Sequence, residues 1–356
     1  MEVSQVKGKF DLAKRLGIRH PIFLAPMAGE AAKPGFVAAV SDAGGLGNLG
    51  AGYMAPEALR TAIDEIRKLT KAPFGINLFA PLSPVVQDLE QIAQYGRALE
   101  PIHRELALGE PSLPGHLAED FDTQFDVVLA ARVPVFSYTF GPIGKDRVAA
   151  LKEGGTFVVG TATNVAEGLA LQDEGVDAVI AQGAEAGGHR GTFMGSFAEG
   201  LMGTMALVPA LVDALRIPVI AAGGIADRRG VRAAMALGAS GVTVGTAFLS
   251  TRESPLGEAY KAALLAPTAE RVTRVTSAIS GRPARGLVNT LMTTLEQVDA
   301  GAPPYPLANA MTRALRKSAG GQGRADYLSL WAGQAVPLNR SWAVSDLMEE
   351  LAKGLA

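Results

Sequence analysis

The residues that most clearly point to chemistry surround one histidine. Residues 181–193 read AQGAEAGGHRGTF, and His189 is one of only four histidines in a chain of 356 residues. Gly187 and Gly188 remove side chains where another group must come close. Histidine titrates at a pKa of about 6.5, which suits a general base at neutral pH. The pattern favours a catalytic role for His189 over that of a histidine that is only hydrogen-bonded in place or exposed. The amide of Gln182 in the same stretch can donate hydrogen bonds to a heterocycle and accept them from it.

Two further stretches predict a phosphate site. The stretch AAGGIAD places Gly223 and Gly224 after one apolar run, and TVGTAF places Gly245 and Thr246 after the next. Glycine lets a phosphate approach the backbone, and threonine adds a hydroxyl donor. Each pair alone also fits an ordinary tight turn, but the two together favour a bound anion.

Two earlier runs carry residues that a flat ring could contact. Met27 stands at the end of PIFLAPMAG, and Asn77 interrupts the apolar run FGINLF. A polar amide inside an apolar strand must find hydrogen-bond partners. Core packing of Met27 and a structural hydrogen bond of Asn77 are the alternatives, and these residues alone do not separate them from cofactor contacts.

Eight short apolar runs, each bounded by Gly or Pro, position these residues. Because the runs are nearly continuous in hydrophobicity, they are typical of parallel strands covered by helices. Stretches with apolar residues at three- and four-residue spacing separate most of them. We predict an α/β fold, a (β/α)8 TIM barrel, since an open doubly wound sheet would be expected to begin with GxGxxG. The runs are 21–29, 45–52, 72–81, 133–141, 155–163, 176–183, 217–224 and 240–249.

Two regions break this alternation, and both are predicted to be mainly helical. An insert after the third strand emerges on the C-terminal face of a barrel, where barrel active sites lie. We predict a cofactor-binding barrel from residues 1–81 and 133–250, and a small helical cap over the substrate from residues 82–132 and 251–356. For much of the C-terminal region, a peripheral stabilising pack is the alternative.

Composition excludes several classes of function. The formal net charge of −2 offers no general attraction for nucleic acid or an anionic membrane. Without cysteine there is no disulfide, thiolate nucleophile or thiolate metal site, and no HxH or HExxH motif indicates a metal. The N-terminus has no apolar signal segment and no run is long enough to span a membrane, so we expect a cytoplasmic protein.

The chemistry is therefore expected to come from a bound cofactor. The chain has no GxSxG motif and no P-loop lysine motif. A flat ring with a phosphate tail at the mouth of a barrel indicates FMN.

Several of these stretches together resemble nitronate monooxygenases, formerly called 2-nitropropane dioxygenases, which are FMN-dependent (β/α)8 barrels. The resemblance covers about residues 20–340, and AEAGGHRG, AAGGI and GTAFL in this order make it specific. The other matching stretches are APMAG, AVSDAGGLG, FGINLF, GRPARG, YPLANAMTRALR and LWAGQ.

The resemblance implies oxidation of alkyl nitronates, such as propionate 3-nitronate, by O₂ to a carbonyl product and nitrite. Some members also take neutral nitroalkanes, and His189 matches the histidine that removes the α-proton. The partners implied are the small-molecule nitronate and O₂, with no nucleic acid and no membrane, in a monomer or homodimer. The FMN contacts implied are Pro26, Met27, Ala28, Asn77, Gln182, Gly187, Gly188, Gly223, Gly224, Thr243, Val244, Gly245 and Thr246.

Some members line the substrate pocket with tyrosines and a lysine. Tyr260 and Tyr305 are the matching candidates here, and Tyr138 on the fourth strand is predicted to face the same mouth, with core packing as its alternative. Asn309 and Arg313 depart from the tyrosine and lysine that can occur at this spacing after Tyr305. This departure leaves the substrate open.

Two other functions share these features. Related FMN-dependent NAD(P)H reductases, either quinone reductases or enoyl-acyl-carrier-protein reductases, share the barrel and a similar EAGGH loop. A flavin- or phosphate-binding carrier or sensor without turnover is the other alternative, and an intact His189 argues against it. The sequence also leaves open whether His189 is a base or an anion holder, and whether Arg190 helps to hold an anion or is a structural ion-pair residue.

Overall fold

Parallel strands close into an eight-membered barrel in the computed structural model, which describes residues 10–267 and 271–355. The barrel strands are β1 (Ile22–Leu24), β2 (Gly47–Gly50), β3 (Phe74–Phe79), β4 (Val135–Thr139), β5 (Phe157–Ala162), β6 (Ala178–Gln182), β8 (Val219–Ala222) and β9 (Gly241–Val244), whereas β7 (Gly188–His189) lies outside the barrel. The strand order is β1-β9-β8-β6-β5-β4-β3-β2, and β1 returns to β2 through the pair Phe23 and Leu46. This confirms the predicted (β/α)8 fold.

Helices alternate with the strands and form the outer layer, and others build the cap. In the described ranges they are α1 (Leu12–Leu16), α2 (Pro34–Asp42), α3 (Pro56–Leu69), α4 (Leu89–Glu105), α5 (Phe121–Ala131), α6 (Lys145–Glu153), α7 (Val165–Glu174), α8 (Thr204–Ala214), α9 (Arg228–Ala236), α10 (Thr246–Leu249), α11 (Glu258–Leu265), α12 (Thr290–Leu295), α13 (Leu307–Gly321) and α14 (Val344–Ala352).

The local sequence explains where these helices begin and end. Asp227 caps α9 by accepting a hydrogen bond from the backbone N–H of Arg229 at 2.9 Å. Asn164 caps α7 in the same way, and Gly175 ends that helix in the left-handed conformation, with φ at 103°. Because these capping residues begin and end the helices sharply, the loops between helices and strands are short. The strand ends that carry the site are therefore held in fixed positions.

Side chains alternate between the two faces of each barrel strand. In β6, Ala178 and Ile180 face the barrel interior, whereas Val179 and Ala181 pack against the helices. Helix α1 closes the N-terminal end, because Leu12 and Leu16 pack in the same interior cluster. Inward-facing positions near the C-terminal strand ends are therefore the ones that can reach a ligand.

A second apolar core lies between α4 of the insert and the helices that follow the barrel. Tyr95 and Leu99 of α4 pack in one buried cluster with Leu291 of α12 and with Ala308 and Leu315 of α13. The Tyr95 hydroxyl donates to the carbonyl of Ala278 at 2.6 Å. The two regions predicted as cap are thus joined in one packed unit.

The structure moves two helices from the predicted cap to the barrel layer. Phe121 and Phe125 of α5, and Leu347 and Met348 of α14, belong to the main core around the barrel. Helix α5 fills the ordinary position between β3 and β4, so the predicted boundary at residue 132 falls one helix too late. Residues 1–9 of the predicted barrel segment lie outside the described residues.

The region after the barrel also contains strands where only helices were expected. Strands β10 (Thr273–Thr276) and β11 (Ala284–Leu287) form an antiparallel pair. Strand β11 also pairs with β7 (Gly188–His189), which lies in the loop after β6. This small sheet links the cap to the barrel loop that carries the histidine.

Candidate active site

A cavity of about 670 Å³ lies at the C-terminal ends of the barrel strands, beneath the cap. Most of the residues predicted to bind a cofactor or substrate line it. They are Pro26, Met27, Ala28, Asn77, Gln182, Gly187, Gly188, His189, Gly223, Gly224, Thr243, Gly245, Thr246 and Tyr260.

Two predicted residues point away from this cavity because of strand alternation. In β4, Ser137 faces inward and bonds Asn77 at 3.0 Å, so Tyr138 faces outward, where its hydroxyl donates to Glu174 of α7. The prediction that Tyr138 contacts substrate is therefore wrong, and its alternative of core packing is what the structure contains. The side chain of Val244 also packs against the helix layer, between the inward-facing Thr243 and Gly245.

Tyr305 does not line the main cavity but forms part of its wall. It borders a neighbouring cavity of about 330 Å³, and its ring centroid lies 5.8 Å from that of His189. Its side chain also hydrogen-bonds Tyr53, which faces the main cavity and is bonded by Asn309. Tyr305 thus packs behind His189 and Tyr53 and holds them in place.

Gln182 and Arg190 hold the loop that carries His189. The Gln182 amide donates to the carbonyl of His189 at 3.0 Å and accepts from the N–H of Gly191 at 2.8 Å. Arg190 is 1% exposed and donates to the carbonyls of Gly183 at 2.6 Å and Gly200 at 2.9 Å. Arg190 therefore has a structural role, which was one of the two roles considered from the sequence. Its partners are backbone carbonyls, however, and not the carboxylate of an ion pair.

The ring of His189 is fixed from several sides. Its Nε2 lies 2.9 Å from the Oγ of Ser280, which donates to the carbonyl of Arg282 at 3.0 Å. Since a hydroxyl has one proton, we assign the proton between His189 and Ser280 to Nε2, which leaves the lone pair of Nδ1 free. The rings of Phe140 and Trp331 pack against the imidazole, with centroids at 6.0 and 5.5 Å.

The surroundings of His189 keep it neutral. Burial, together with the positive charges of Arg282 and Arg316, lowers the pKa of His189 to about 3. The imidazole is therefore uncharged at neutral pH, so it can accept a proton but cannot attract an anion by charge. Of the two roles left open by the sequence, this environment favours the base.

The ends of the neighbouring strands β8 and β9 offer unpaired donors. The Oγ1 of Thr243 is buried and has no protein partner among the described residues. Gly223 and Gly224 adopt φ values of 108° and 73°, which side chains rarely allow. Thr246 accepts from the N–H of Gly333 at 2.9 Å, and its own hydroxyl proton remains available. This corner of the cavity suits an anionic group.

Several residues of the site were missed from the sequence. Tyr53 and Phe140 follow the second and fourth strands, and Phe79 ends the third, positions that could have signalled them. Ser280, Arg316 and Trp331 come from the region after the barrel. Arg316 and Trp331 lie within the matching stretches YPLANAMTRALR and LWAGQ, but nothing in these stretches marks them as site residues.

Residues 10–267 and 271–355 contain neither a cluster of metal ligands nor a membrane-spanning helix. No three histidine, aspartate or glutamate side chains there come together as a metal ion would need. Every helix in these ranges is too short or too polar to cross a bilayer.

Nearly the whole chain is similar to known proteins. The family model described as nitronate monooxygenase matches residues 10–354. A probable nitronate monooxygenase of Bacillus subtilis is 40% identical over 342 residues, 96% of this chain and 97% of the relative. A probable nitronate monooxygenase of Staphylococcus haemolyticus is 41% identical over 342 residues, 96% of this chain and 95% of the relative.

Two solved structures extend this likeness to the fold. The nitroalkane oxidase of Streptomyces ansochromogenes is 37% identical, has a TM-score of 0.89, and the match covers 96% of this chain and 97% of that chain. FabK of Thermotoga maritima is 32% identical, has a TM-score of 0.75, and the match covers 98% of this chain and 96% of that chain.

Proposed function

This chain belongs to the nitronate monooxygenase family, a family of flavin-dependent oxidoreductases that oxidise small nitronates or nitroalkanes, and we propose that it does so with FMN and O₂. The proposed substrates are alkyl nitronates such as propionate 3-nitronate, together with neutral nitroalkanes. The proposed products are a carbonyl compound and nitrite. The observation that carries this proposal is the neutral His189 facing the capped cavity.

The residues at the strand ends fit FMN. The unpaired Thr243 hydroxyl and the positive-φ glycines after β8 suit the phosphate, with Gly245 and Thr246 beside them. Met27, Asn77, Gly187 and Gly188 line the part of the cavity that would receive the ring. A Cβ on Gly188 would meet no protein atom within 4 Å, so space for the ring lies beside it. When bound, the flavin supplies the electron acceptor and the reaction with O₂.

His189 supplies the proton chemistry. A neutral nitroalkane must lose its α-proton before it is oxidised, and Nδ1 of His189 has the free lone pair to accept it. Ser280 holds the ring through Nε2 while the proton moves. A nitronate has already lost this proton, so it needs His189 only for positioning.

The cap excludes water and orients the substrate. Phe140 and Trp331 enclose the imidazole with apolar surface, which keeps it uncharged, so that its free nitrogen retains a lone pair. Tyr260, whose hydroxyl donates to the carbonyl of Trp331 at 3.0 Å, fixes Trp331 over the cavity.

A direct test combines two substrates and two readouts. Purified protein with bound flavin is given propionate 3-nitronate in air, and O₂ uptake and nitrite release are measured. The same protein is given NADH without oxygen, and the flavin absorbance is followed. We expect nitrite from the nitronate and slow or no bleaching by NADH.

The second candidate is the FMN-dependent NAD(P)H reductase that the sequence left open, and the likeness to FabK shows that another protein shares this fold. The greater likeness to the nitroalkane oxidase, with a TM-score of 0.89 against 0.75, favours the first candidate. Rapid bleaching by NADH, with no nitrite from any nitronate, would replace the first candidate with the second.

A further inference from the structure

One wall of the cavity carries positive charges that the protein leaves unneutralised. Lys33 begins this wall from the barrel side, and Arg313, Arg316 and Lys317 come from α13. Among the described residues, no carboxylate oxygen lies within 4.0 Å of their side-chain nitrogens, whereas Arg147 is paired with Asp122 at 2.6 Å. This wall therefore gathers four positive side chains at one cavity without a carboxylate partner in the described part of the chain.

Arg316 lies deepest in this group. Its Nε donates to the carbonyl of Thr312 at 3.3 Å, its Nη1 to the hydroxyl of Ser329 at 3.1 Å, and its Nη2 to the carbonyl and the Oδ1 of Asn309 at 3.1 and 2.8 Å. All of these acceptors are uncharged. A guanidinium has five N–H groups, so one N–H on Nη1 remains without a protein partner in the described residues.

The side of the cavity at Arg316 continues to the catalytic histidine. Asn309 bonds both Arg316 and Tyr53, Tyr53 is bonded by Tyr305, and the ring of Tyr305 contacts His189. The charge of Arg316 is close enough to lower the pKa of His189. A small substrate that reacts at His189 can therefore extend toward Arg316.

The acidic groups near this wall do not neutralise it. Glu30 acts on Arg316 only from beyond 4.0 Å, and the carboxylate of Glu119 hydrogen-bonds His116 at 2.9 Å and no residue of this wall. Burial of a guanidinium without a negative partner is costly, and a bound anion removes much of this cost. The wall is therefore complementary to an anionic part of a ligand.

We propose that Arg316, together with Arg313 and Lys317, binds a carboxylate at the end of the substrate remote from its nitronate carbon. This inference rests on the proposed function and adds a substrate preference to it. The enzyme prefers nitronates that carry a second negative charge to plain alkyl nitronates of similar length. The site proposed for the cofactor phosphate lies elsewhere, at the glycine loops after β8 and β9 beside Thr243.

The test compares kcat/KM for propionate 3-nitronate and for propyl-1-nitronate, which lacks the carboxylate. We expect Arg316→Gln to lower the ratio of the two values by about tenfold or more, as for loss of a charge-assisted hydrogen bond. Arg316→Lys should restore part of the ratio. Lys317→Gln should lower it about twofold to threefold, because its side chain is exposed. The matched control is Lys68→Gln on α3, which removes the same charge far from the cavity and should leave the ratio unchanged.

A second readout needs no turnover. Succinate is titrated into the flavin-loaded protein while the flavin absorbance is followed, and Arg316→Gln should weaken its binding about tenfold. An unchanged nitronate ratio in Arg316→Gln and Lys317→Gln with full flavin content would overturn the proposal. Loss of flavin from Arg316→Gln without a change in the ratio of the two kcat/KM values would also overturn the proposal. The wall would then bind the cofactor phosphate and not the substrate carboxylate.

The two proposals can fail separately. If the native protein oxidises no nitronate, the proposed function fails, while succinate binding still tests the anion site. If Arg316→Gln does not fold, Arg313→Gln and Lys317→Gln carry the comparison, because both side chains are exposed and Arg313 donates only to the carbonyl of Leu117.

Discussion

The Oγ of Ser280 lies 2.9 Å from Nε2 of His189, although the two residues are 91 positions apart in the chain. Ser280 is 1% exposed and is held by its bond to the carbonyl of Arg282. This pair fixes which imidazole nitrogen carries the proton and which is free to accept one. The basic nitrogen of the site is thus set by a residue of the cap region.

We expect Ser280→Ala to slow the oxidation of nitroethane by about tenfold, because the ring loses its orienting partner. Oxidation of preformed ethyl nitronate should change much less, since it needs no proton transfer. The pH profile of nitroethane turnover should also shift, because the environment of the imidazole changes. Ser280→Thr keeps the hydroxyl and is the matched control. Equal losses for both substrates, with an unshifted profile, would mean that Ser280 is only structural.

Replacing the histidine itself should separate the two substrate classes completely. His189→Asn removes the proton acceptor, so nitroethane turnover should fall by about 10²- to 10⁴-fold. Preformed nitronates should still react, at reduced efficiency. The measurement is nitrite release from both substrates by protein with equal flavin content. A variant that oxidises nitroethane at the native rate would show that His189 is not the base.

His189 also predicts how stability depends on pH. Its folded pKa of about 3 is below the ordinary 6.5, so between these values the unfolded chain binds a proton that the folded protein does not. This group therefore makes the protein less stable as the pH falls from about 6.5 toward 3, by at most about 1.4 kcal/mol per pH unit. The Tm of the native protein should fall more between pH 7 and pH 5 than that of His189→Asn. Parallel curves would contradict the lowered pKa.

Tyr138 provides a negative control for the site. Because its hydroxyl bonds Glu174 outside the barrel, Tyr138→Phe should leave kcat/KM unchanged and lower the free energy of unfolding by about 1–2 kcal/mol. Urea unfolding and nitronate turnover of the same preparation check both parts. A large loss of activity with unchanged stability would restore Tyr138 to the substrate pocket.

Thr243 tests the cofactor position. Thr243→Val keeps the shape of the side chain and removes a hydroxyl with no protein partner among the described residues. If this hydroxyl bonds the FMN phosphate, the Kd for FMN should rise roughly tenfold, with little loss of apoprotein stability. Flavin fluorescence on dilution measures the release. An unchanged Kd would remove Thr243 from the phosphate site.

The fold was predictable because its signals are local. Continuous apolar runs and short glycine-ended helices identify each strand and helix unit within a dozen residues or so, and strand ends on one face of a barrel must meet. His189, Gly223 and Gly245 could be placed in one cavity by that reasoning alone.

Other features depend on register or on distant pairing. Tyr138 was placed wrongly because Ser137, and not Tyr138, pairs with Asn77 and shares its inward face, and this register is not visible in the sequence. The side chain of Val244 faces outward by the alternation along β9. The β10–β11 pair is short and lies in a region with helical patterning on both sides. Ser280 and Arg316 reach the site only through folding of the cap, so no spacing in the sequence reveals them.

The pairing of Gly188–His189 with Ala284–Arg285 has a consequence for redesign. Because the loop after β6 is hydrogen-bonded to a strand of the cap region, neither the loop nor the cap can be exchanged independently of the other. A chimera that takes its cap from a relative to alter selectivity would also exchange the support of the base. Such grafts should keep residues 273–287 with their own barrel and place the junctions on either side of them.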